Sequence, residues 1–369
     1  MAVAQDAAAP PDARAPAAAE FAKLADPLLD RALSFLKLTQ RADGGWDGPT
    51  GAGDPAITAL VAKCFMQSPR YGPRHPIVRR ALDYMLTFVQ PDGGIYADGQ
   101  GLRNYHTSVC LMALAATKDP VHRTRIRASQ EFLTDLQWDE AEGYESDSPW
   151  YGGAGYGRNK RPDLSNTQMM IEALAQSGLP AEHPVYRKAT AFISRCQMFS
   201  ATNDQPFAAG SADGGFVYTP VGGGESKAGT VDREGKPQLR SYGSMTYAGF
   251  KSLLHADVDR DDLRVQRALK WIRSHYTLDH NPNMPAARSL EGLYYYYFVF
   301  SKALTAWGAD EITDAAGKRH DWRLDLARAL SNRQGADGSF VNQADRWMEG
   351  NPYLVTAYAV LAIQSARGG

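Results

Sequence analysis

One unit recurs along the chain: an amphipathic stretch ending in glutamine, followed by a glycine turn with an aromatic or apolar residue. It is plain at Gln40 with Gly45-Trp46, at Gln90-Pro91-Asp92-Gly93-Gly94-Ile95, at Gln137-Trp138, at Gln197 with Asp213-Gly214-Gly215-Phe216, and at Gln334 with Asp337-Gly338-Ser339-Phe340. The gap between Gln197 and Gln334 has room for one more unit. There Val265, Ala268, Leu269, Trp271 and Ile272, with Tyr276 near the glutamine slot, repeat the pattern of Val78, Ala81, Leu82, Tyr84 and Met85. A unit repeated at this period fixes the architecture before any single residue is interpreted. A second, more apolar stretch follows each turn: Ile57 to Met66, Tyr105 to Ala116, Thr167 to Ala175, Tyr242 to Leu254, Leu293 to Trp307, and Tyr353 to Ile363. The first stretch of each pair, with Leu33, Phe35, Leu36 and Leu38 against Arg31 and Lys37, predicts a half-exposed outer helix, and the second predicts an inner one. Six such pairs predict an all-α chain closed into an (α/α)6 toroid, or barrel, in which every hairpin has two neighbours. The glutamine is explained by structure alone, its amide satisfying backbone groups at a helix end while the next aromatic packs over the turn.

The remaining features narrow the partners. Lysine and arginine number 40 against 41 acidic residues, a net charge of -1 without like-charge runs, so no electrostatic footprint for nucleic acid or an anionic membrane is present. No apolar stretch approaches the roughly 20 residues of a membrane span. Cys64, Cys110 and Cys196 are too scattered for a disulfide framework or a paired metal site, and read as core residues. Residues 1–26, rich in Ala and Pro, read as a disordered arm, and 27–369 as a single domain. Ala2-Val3-Ala4 ahead of Gln5 has the small-residue pattern of a cleaved leader's end, so a soluble cytoplasmic protein and an exported mature form both stay open.

Outer helices ending in Gln, followed by Asp-Gly-Gly and an aromatic, resemble the QW repeats of squalene and oxidosqualene cyclases and of the protein prenyltransferase β subunits. The resemblance runs from Asp30 to about Ala366 and implies the same (α/α)6 barrel, in one copy where squalene cyclases have two. In those cyclases a DxDD motif heads an inner helix and its middle aspartate protonates the polyene. The literal match, Asp259-Arg260-Asp261-Asp262, precedes an outer helix and reads as a helix cap. The positional match is Pro162-Asp163-Leu164-Ser165-Asn166-Thr167, where Asp163 keeps the first carboxylate while Ser165 and Asn166 replace the other two. Asp163 is therefore an N-cap with a second reading as acid. Tyr105-His106-Thr107 is similar to the prenyltransferase segment whose histidine binds zinc, but Asp54 comes without the cysteine that would accompany it, so no metal is expected. Facing Asp54, His106 can still act as acid or base.

Aromatic residues gather where turns meet inner helices: Trp46, Tyr96, Trp150, Tyr151, Tyr156, Tyr218, Tyr242, Trp347, Tyr353, and the run Tyr294 to Tyr297, of which at least one must face the interior. They predict an aromatic-lined mouth able to hold a prenyl chain, stabilise a carbocation or stack a sugar. Asp345 to Pro352 adds Glu349 to that mouth, and a convergence of Glu349 with Asp163 would pair two carboxylates as in an (α/α)6 glycosidase. The long, polar, glycine-rich fourth turn, from Asn203 to Tyr242, lies on the same rim.

The leading expectation is a terpenoid-cyclase-like protein that binds an isoprenoid, an apolar small molecule, and converts it with Asp163, His106 or Asp54 as proton-transfer groups. Trp46, Tyr96, Trp150, Tyr242, Tyr294, Tyr295, Trp347, Glu349 and Asn166 would form the binding wall, and no cofactor is called for. A carbohydrate-active barrel and a non-catalytic module that binds lipid or a protein partner are the alternatives, because fold does not choose among them.

Overall fold

The computed structural model describes residues 11–233 and 235–368, with side chains from 17 onward. Among these residues are twelve α-helices: α1 (Pro11–Leu38), α2 (Pro55–Met66), α3 (Pro76–Leu86), α4 (Arg103–Ala116), α5 (Arg123–Thr134), α6 (Leu164–Gln176), α7 (Pro184–Arg195), α8 (Gly243–His255), α9 (Leu263–Ser274), α10 (Leu293–Trp307), α11 (Trp322–Ser331) and α12 (Pro352–Arg367). The even-numbered helices pack on one another in chain order, and α12 returns to α2, so they form a closed inner ring. Sequence dictates the arrangement. Every residue of α2 is buried, whereas α3 buries only Ile77, Val78, Ala81, Leu82 and Met85, one stripe of an exposed helix.

The glutamines act differently from simple caps. Gln40, Gln137, Gln197 and Gln334 each donate through Nε2 to a carbonyl of their own glycine turn and to a carbonyl of the next outer helix: Ile77, Val185, Arg264 and, across the closure, Leu28 of α1. Each amide thus stitches two neighbouring hairpins. Gln90 stays within its own turn, donating to Phe88 and Tyr96 carbonyls. In the degenerate unit Tyr276 takes the slot and donates its hydroxyl to Asp325 of α11 at 3.1 Å.

The first glycine of five turns has a left-handed backbone and lies against the next outer helix. At Gly338 (φ +91°) a Cβ would come within 2.4 Å of the Arg31 carbonyl oxygen of α1, so the ring closes through a contact only glycine permits. A further regularity escaped the sequence reading. Thr58, Thr107, Thr167, Thr246 and Thr356, one on each inner helix except α10, accept through Oγ1 from the turn amides of Trp46, Ile95, Ala154, Phe216 and Phe340. These threonines fasten each turn to the helix it precedes.

Two expectations need correction. The chain is about half helical and contains three two-stranded antiparallel sheets: β1 (Gln197–Phe199) with β2 (Ala212–Phe216), β3 (Thr230–Arg233) with β4 (Lys236–Leu239), and β5 (Ile312–Thr313) with β6 (Arg319–His320). Three of these strands, β2, β3 and β4, occupy the long fourth turn and β1 precedes it, so that the turn's backbone groups pair with one another and with β1. The arm expected over residues 1–26 is helical from Pro11, as the first part of α1, because Phe21 and Ala25 continue its buried stripe. Residues 1–10, including Ala2-Val3-Ala4, lie outside the described residues. Among the described residues no helix is long and apolar enough to cross a membrane.

Candidate functional site

All six inner helices begin at the same end of the ring, and six helix N-termini leave unpaired amides there. Asp54 caps α2, its Oδ1 accepting from the amides of Ala56 and Ile57 at 2.9 Å. Asp163 caps α6 through Asn166 N–H at 2.9 Å, and Asn351 caps α12 through Tyr353 and Leu354. The caps of α8 and α10, Tyr242 and Gly292, offer no side-chain acceptor, so distant residues supply it. Asn281 Oδ1 accepts from Ser244 N–H, and Glu349 Oε1 accepts from Tyr295 N–H at 2.7 Å. A polar, acid-bearing rim follows directly from the need to end these helices.

Inside that rim is a cleft of about 970 Å³, measured with its open mouth. Phenol rings of Tyr105, Tyr156, Tyr218, Tyr242, Tyr295 and Tyr358 line it, with Trp347 at the mouth. Ile57, Leu102, Met245, Met348 and Leu354 add aliphatic surface, and Asp54, His106 and Glu349 are the titratable non-phenolic groups on its wall. Tyr105 and Tyr358 hydroxyls meet at 2.9 Å, and Gln168 Nε2 donates to the Tyr295 hydroxyl at 3.1 Å. The phenols are thus partly tied to one another, leaving their faces to the cleft.

Of the residues singled out from sequence, Asp54, His106, Asn166, Tyr242, Tyr295, Trp347 and Glu349 come together on the cleft wall. Asp163 is one layer behind, hydrogen-bonded to Asn166 Nδ2 at 2.8 Å and receiving the Tyr218 hydroxyl. Four others lie elsewhere. Trp46 is sealed between helices, its indole N–H donating to Leu36 O at 2.9 Å. Tyr96 stacks on Phe132 and donates to Asp92, while Trp150 packs with Trp138 and Tyr144. Tyr294 packs edge-on against Tyr297 and Phe340 in the core. Of the four consecutive tyrosines only Tyr295 reaches the cleft, and Tyr296 and Tyr297 donate to the Thr277 and Leu278 carbonyls. The literal DxDD segment is at an outer helix, where Asp262 caps α9 through Arg264 N–H. Sequence reasoning missed Met245, an aliphatic residue in the first turn of α8, and Tyr358, which lies further along α12 than the turn junction it scanned.

His106 and Asp54 face each other with Nε2 and Oδ2 3.5 Å apart, both side chains buried. Ala97 N–H donates to His106 Nδ1 at 3.3 Å, which puts the proton of a neutral ring on Nε2, toward Asp54. Burial works to raise the Asp54 carboxyl, but His106 and the two cap amides outweigh it and hold it below the usual range. No group of three His, Cys, Asp or Glu side chains converges to hold a metal among the described residues.

The carboxyls of Glu349 and Asp163 both shift the other way from Asp54. Glu349 is 1% exposed, and burial pushes it up to about 7 against the pull of the Tyr295 amide and the Asn342 side chain. Burial also raises Asp163 to about 6, again only partly offset by Asn166. Glu349 follows Trp347 (φ +55°) and Met348 (φ +66°), two non-glycine residues in the left-handed region. Such backbone costs about 1–2 kcal/mol per residue and persists only where surrounding contacts fix it. Asn342 provides one, its Nδ2 donating to Glu349 Oε2 at 2.6 Å.

A pH dependence follows. Between its ordinary value of 4.5 and about 7, Glu349 keeps a proton in the folded protein that the unfolded chain has lost, so stability falls as pH rises through that window. Asp163 acts in the same direction between 3.8 and about 6. Urea titrations from pH 4.5 to 7.5 should show the advantage of Glu349→Gln over the parent growing with pH. Parallel curves would contradict the raised carboxyl.

A comparison with protein-family models finds no match. Among curated proteins, drimenyl diphosphate synthase from Streptomyces showdoensis is 32% identical over 104 residues, 25% of this chain and 19% of the relative's length. Among solved structures, the type II terpene cyclase MstE from Scytonema, in complex with geranylgeranyl dihydroxybenzoate, superposes with a TM-score of 0.58 at 14% identity, covering 94% of this chain and 99% of that one. A family 76 glycoside hydrolase from a bovine Bacteroides thetaiotaomicron strain gives 0.54 at 12% identity, covering 91% of this chain and 77% of that one. Likeness at such identities speaks for the fold alone. The chain has the terpenoid cyclase-like fold.

Proposed function

We propose that the chain is a single-domain (α/α)6 toroid of six QW-type hairpins over residues 27–369, and that its cleft binds an isoprenoid and converts it by protonation. The observation that carries this reading is a cleft walled by phenols and aliphatic side chains, with the deeply buried carboxyl of Glu349 in its lining. Aromatic faces and aliphatic groups suit an extended apolar chain and the positive charge that develops on it. A proton donor in such a site must still hold its proton at working pH, which burial secures for Glu349. Asp163 takes the place of a positioning residue, fixing Asn166 and Tyr218, because it does not reach the cleft itself. The His106 and Asp54 pair stands across the wall as a proton acceptor for the deprotonation that ends a cyclisation. The bond changes balance: the alkene takes a proton from Glu349, a ring bond forms, and a neighbouring carbon gives a proton to the Asp54 carboxylate, which His106 orients.

The curated relative and the terpene cyclase in its substrate complex support an isoprenoid over a sugar as occupant. Titration with farnesol and geranylgeraniol, followed by tryptophan fluorescence and melting temperature, tests the binding half. Trp347, 39% exposed at the mouth, should report saturable binding, and Tyr295→Ala should weaken it about tenfold. A melting temperature raised by oligosaccharides and unmoved by either alcohol would overturn the proposal.

A further inference from the structure

At the opposite end of the ring, where the inner helices terminate, a second recess of about 820 Å³ opens to solvent. Lys63, Glu172, Gln176, His255, Lys302 and Ser365 line it, from α2, α6, α8, α10 and α12. Glu172 accepts from both Lys251 and Lys302, and Lys63 Nζ donates to Gln176 Oε1 at 2.6 Å. Lys302 also lies over the Phe298 ring. Two lysines therefore share one carboxylate and a third, Lys63, is met by an amide alone, although Lys251 and Lys63 are 0% and 6% exposed.

An ammonium has three N–H donors, so the cluster offers far more donors than Glu172 and Gln176 can accept. Buried charge without a counter-charge is strongly disfavoured. Carbonyls at the helix C-termini offset part of it, each end carrying roughly half a negative charge. They do not remove it: burial, then the Lys302 ammonium, pushes Lys63 down to about 7, and burial pushes Lys251 down to about 8 despite Glu172. His255 is driven down to about 4 by burial, so it adds a neutral ring. The recess is short of negative charge and open to solutes.

We propose that this recess binds a small oxyanion of the phosphate type, with Lys63 and Lys302 donating to its oxygens and the Thr305 and Ser365 hydroxyls closing the rim. Lys251, itself outside the recess lining, offsets the charge of the Glu172 carboxylate there. The site is separate from the aromatic cleft and does not rest on the isoprenoid reading.

Calorimetric titration of the full chain at pH 7 with inorganic phosphate and with pyrophosphate, against chloride at matched ionic strength, tests it. Saturable binding of at least one of the two is expected, with pyrophosphate the tighter if two phosphoryl groups fit and phosphate if one does. Lys63→Met and Lys302→Met should each weaken it about tenfold or more. Removal of an uncompensated cation should leave Lys63→Met folded and raise its melting temperature in anion-free buffer. Absence of saturable binding in the parent chain would mean that the lysines serve the helix ends alone and would overturn the proposal. Binding that survives both substitutions would place the anion elsewhere and overturn it equally.

Discussion

Glu349→Gln is expected to bind an isoprenoid as the parent chain does and to convert it at least about a hundredfold more slowly, the usual scale for a lost general acid. The substitution keeps the side chain's shape and its acceptor for Tyr295 N–H, and it gives up the Asn342 hydrogen bond, because Leu290 O and Ala344 N–H hold the Asn342 amide in its orientation. The cap of α10 is thereby retained while the transferable proton is gone. Single-turnover conversion under saturating substrate separates the chemical step from binding. In the parent chain the rate should fall as pH rises through about 7, where Glu349 loses its proton. Equal rates in the two proteins would remove Glu349 from the chemistry. Under the same assay Asp163→Asn should retain more activity than Glu349→Gln, as a positioning residue would.

The largest effect on stability is expected at Gly152. Its backbone is left-handed (φ +81°), and a Cβ there would stand 1.8 Å from the Lys188 carbonyl oxygen of α7. Gly152→Ala therefore has two costs: about 1–2 kcal/mol for the conformation, and the displacement of a helix backbone. Moving α7 also stretches the Gln137 stitch, whose amide reaches Gly152 O at 2.9 Å and Val185 O at 3.0 Å. A total loss above about 3 kcal/mol is expected by urea denaturation. Gly72→Ala is the control, with a similar backbone (φ +68°) and no neighbour within 4 Å, so only the conformational part, about 1–2 kcal/mol, should appear. Similar losses at the two positions would show that close approach of turn to helix is not what joins the hairpins.

The repeat made the helices legible because burial imposes the same period on every copy: the inner stretches read from sequence start and end within a few residues of the helices observed. The tie between copies was half legible. Glutamine at a helix end is visible, but that its second acceptor lies in the next hairpin is a fact of three dimensions, as is Tyr276 reaching Asp325 where glutamine is missing. For the site, reading the turn-to-helix junction found the rim, including Asp54, Asn166 and Glu349, because helix N-termini demand acceptors there. It failed for Trp46 and Tyr96, whose rings turn into the packing between helices, and for Tyr358, which faces the cleft from further along α12. A junction position does not say which way a ring points.

The weight that Glu349 carries could be read only from the folded chain. Its strained approach through Trp347 and Met348, its burial, and its service to a helix from another part of the chain leave no mark in local sequence. The fold alone also leaves the chemistry open, since a glycoside hydrolase shares it.

The central claim, that the aromatic cleft is an isoprenoid site, is tested most directly by a crystal structure of the protein soaked with farnesol. The account predicts electron density for the prenyl chain between Tyr242, Tyr295 and Tyr358, with an alkene carbon within reach of the Glu349 carboxyl. A cleft that stays empty at saturating farnesol, or a chain bound anywhere else, would contradict it.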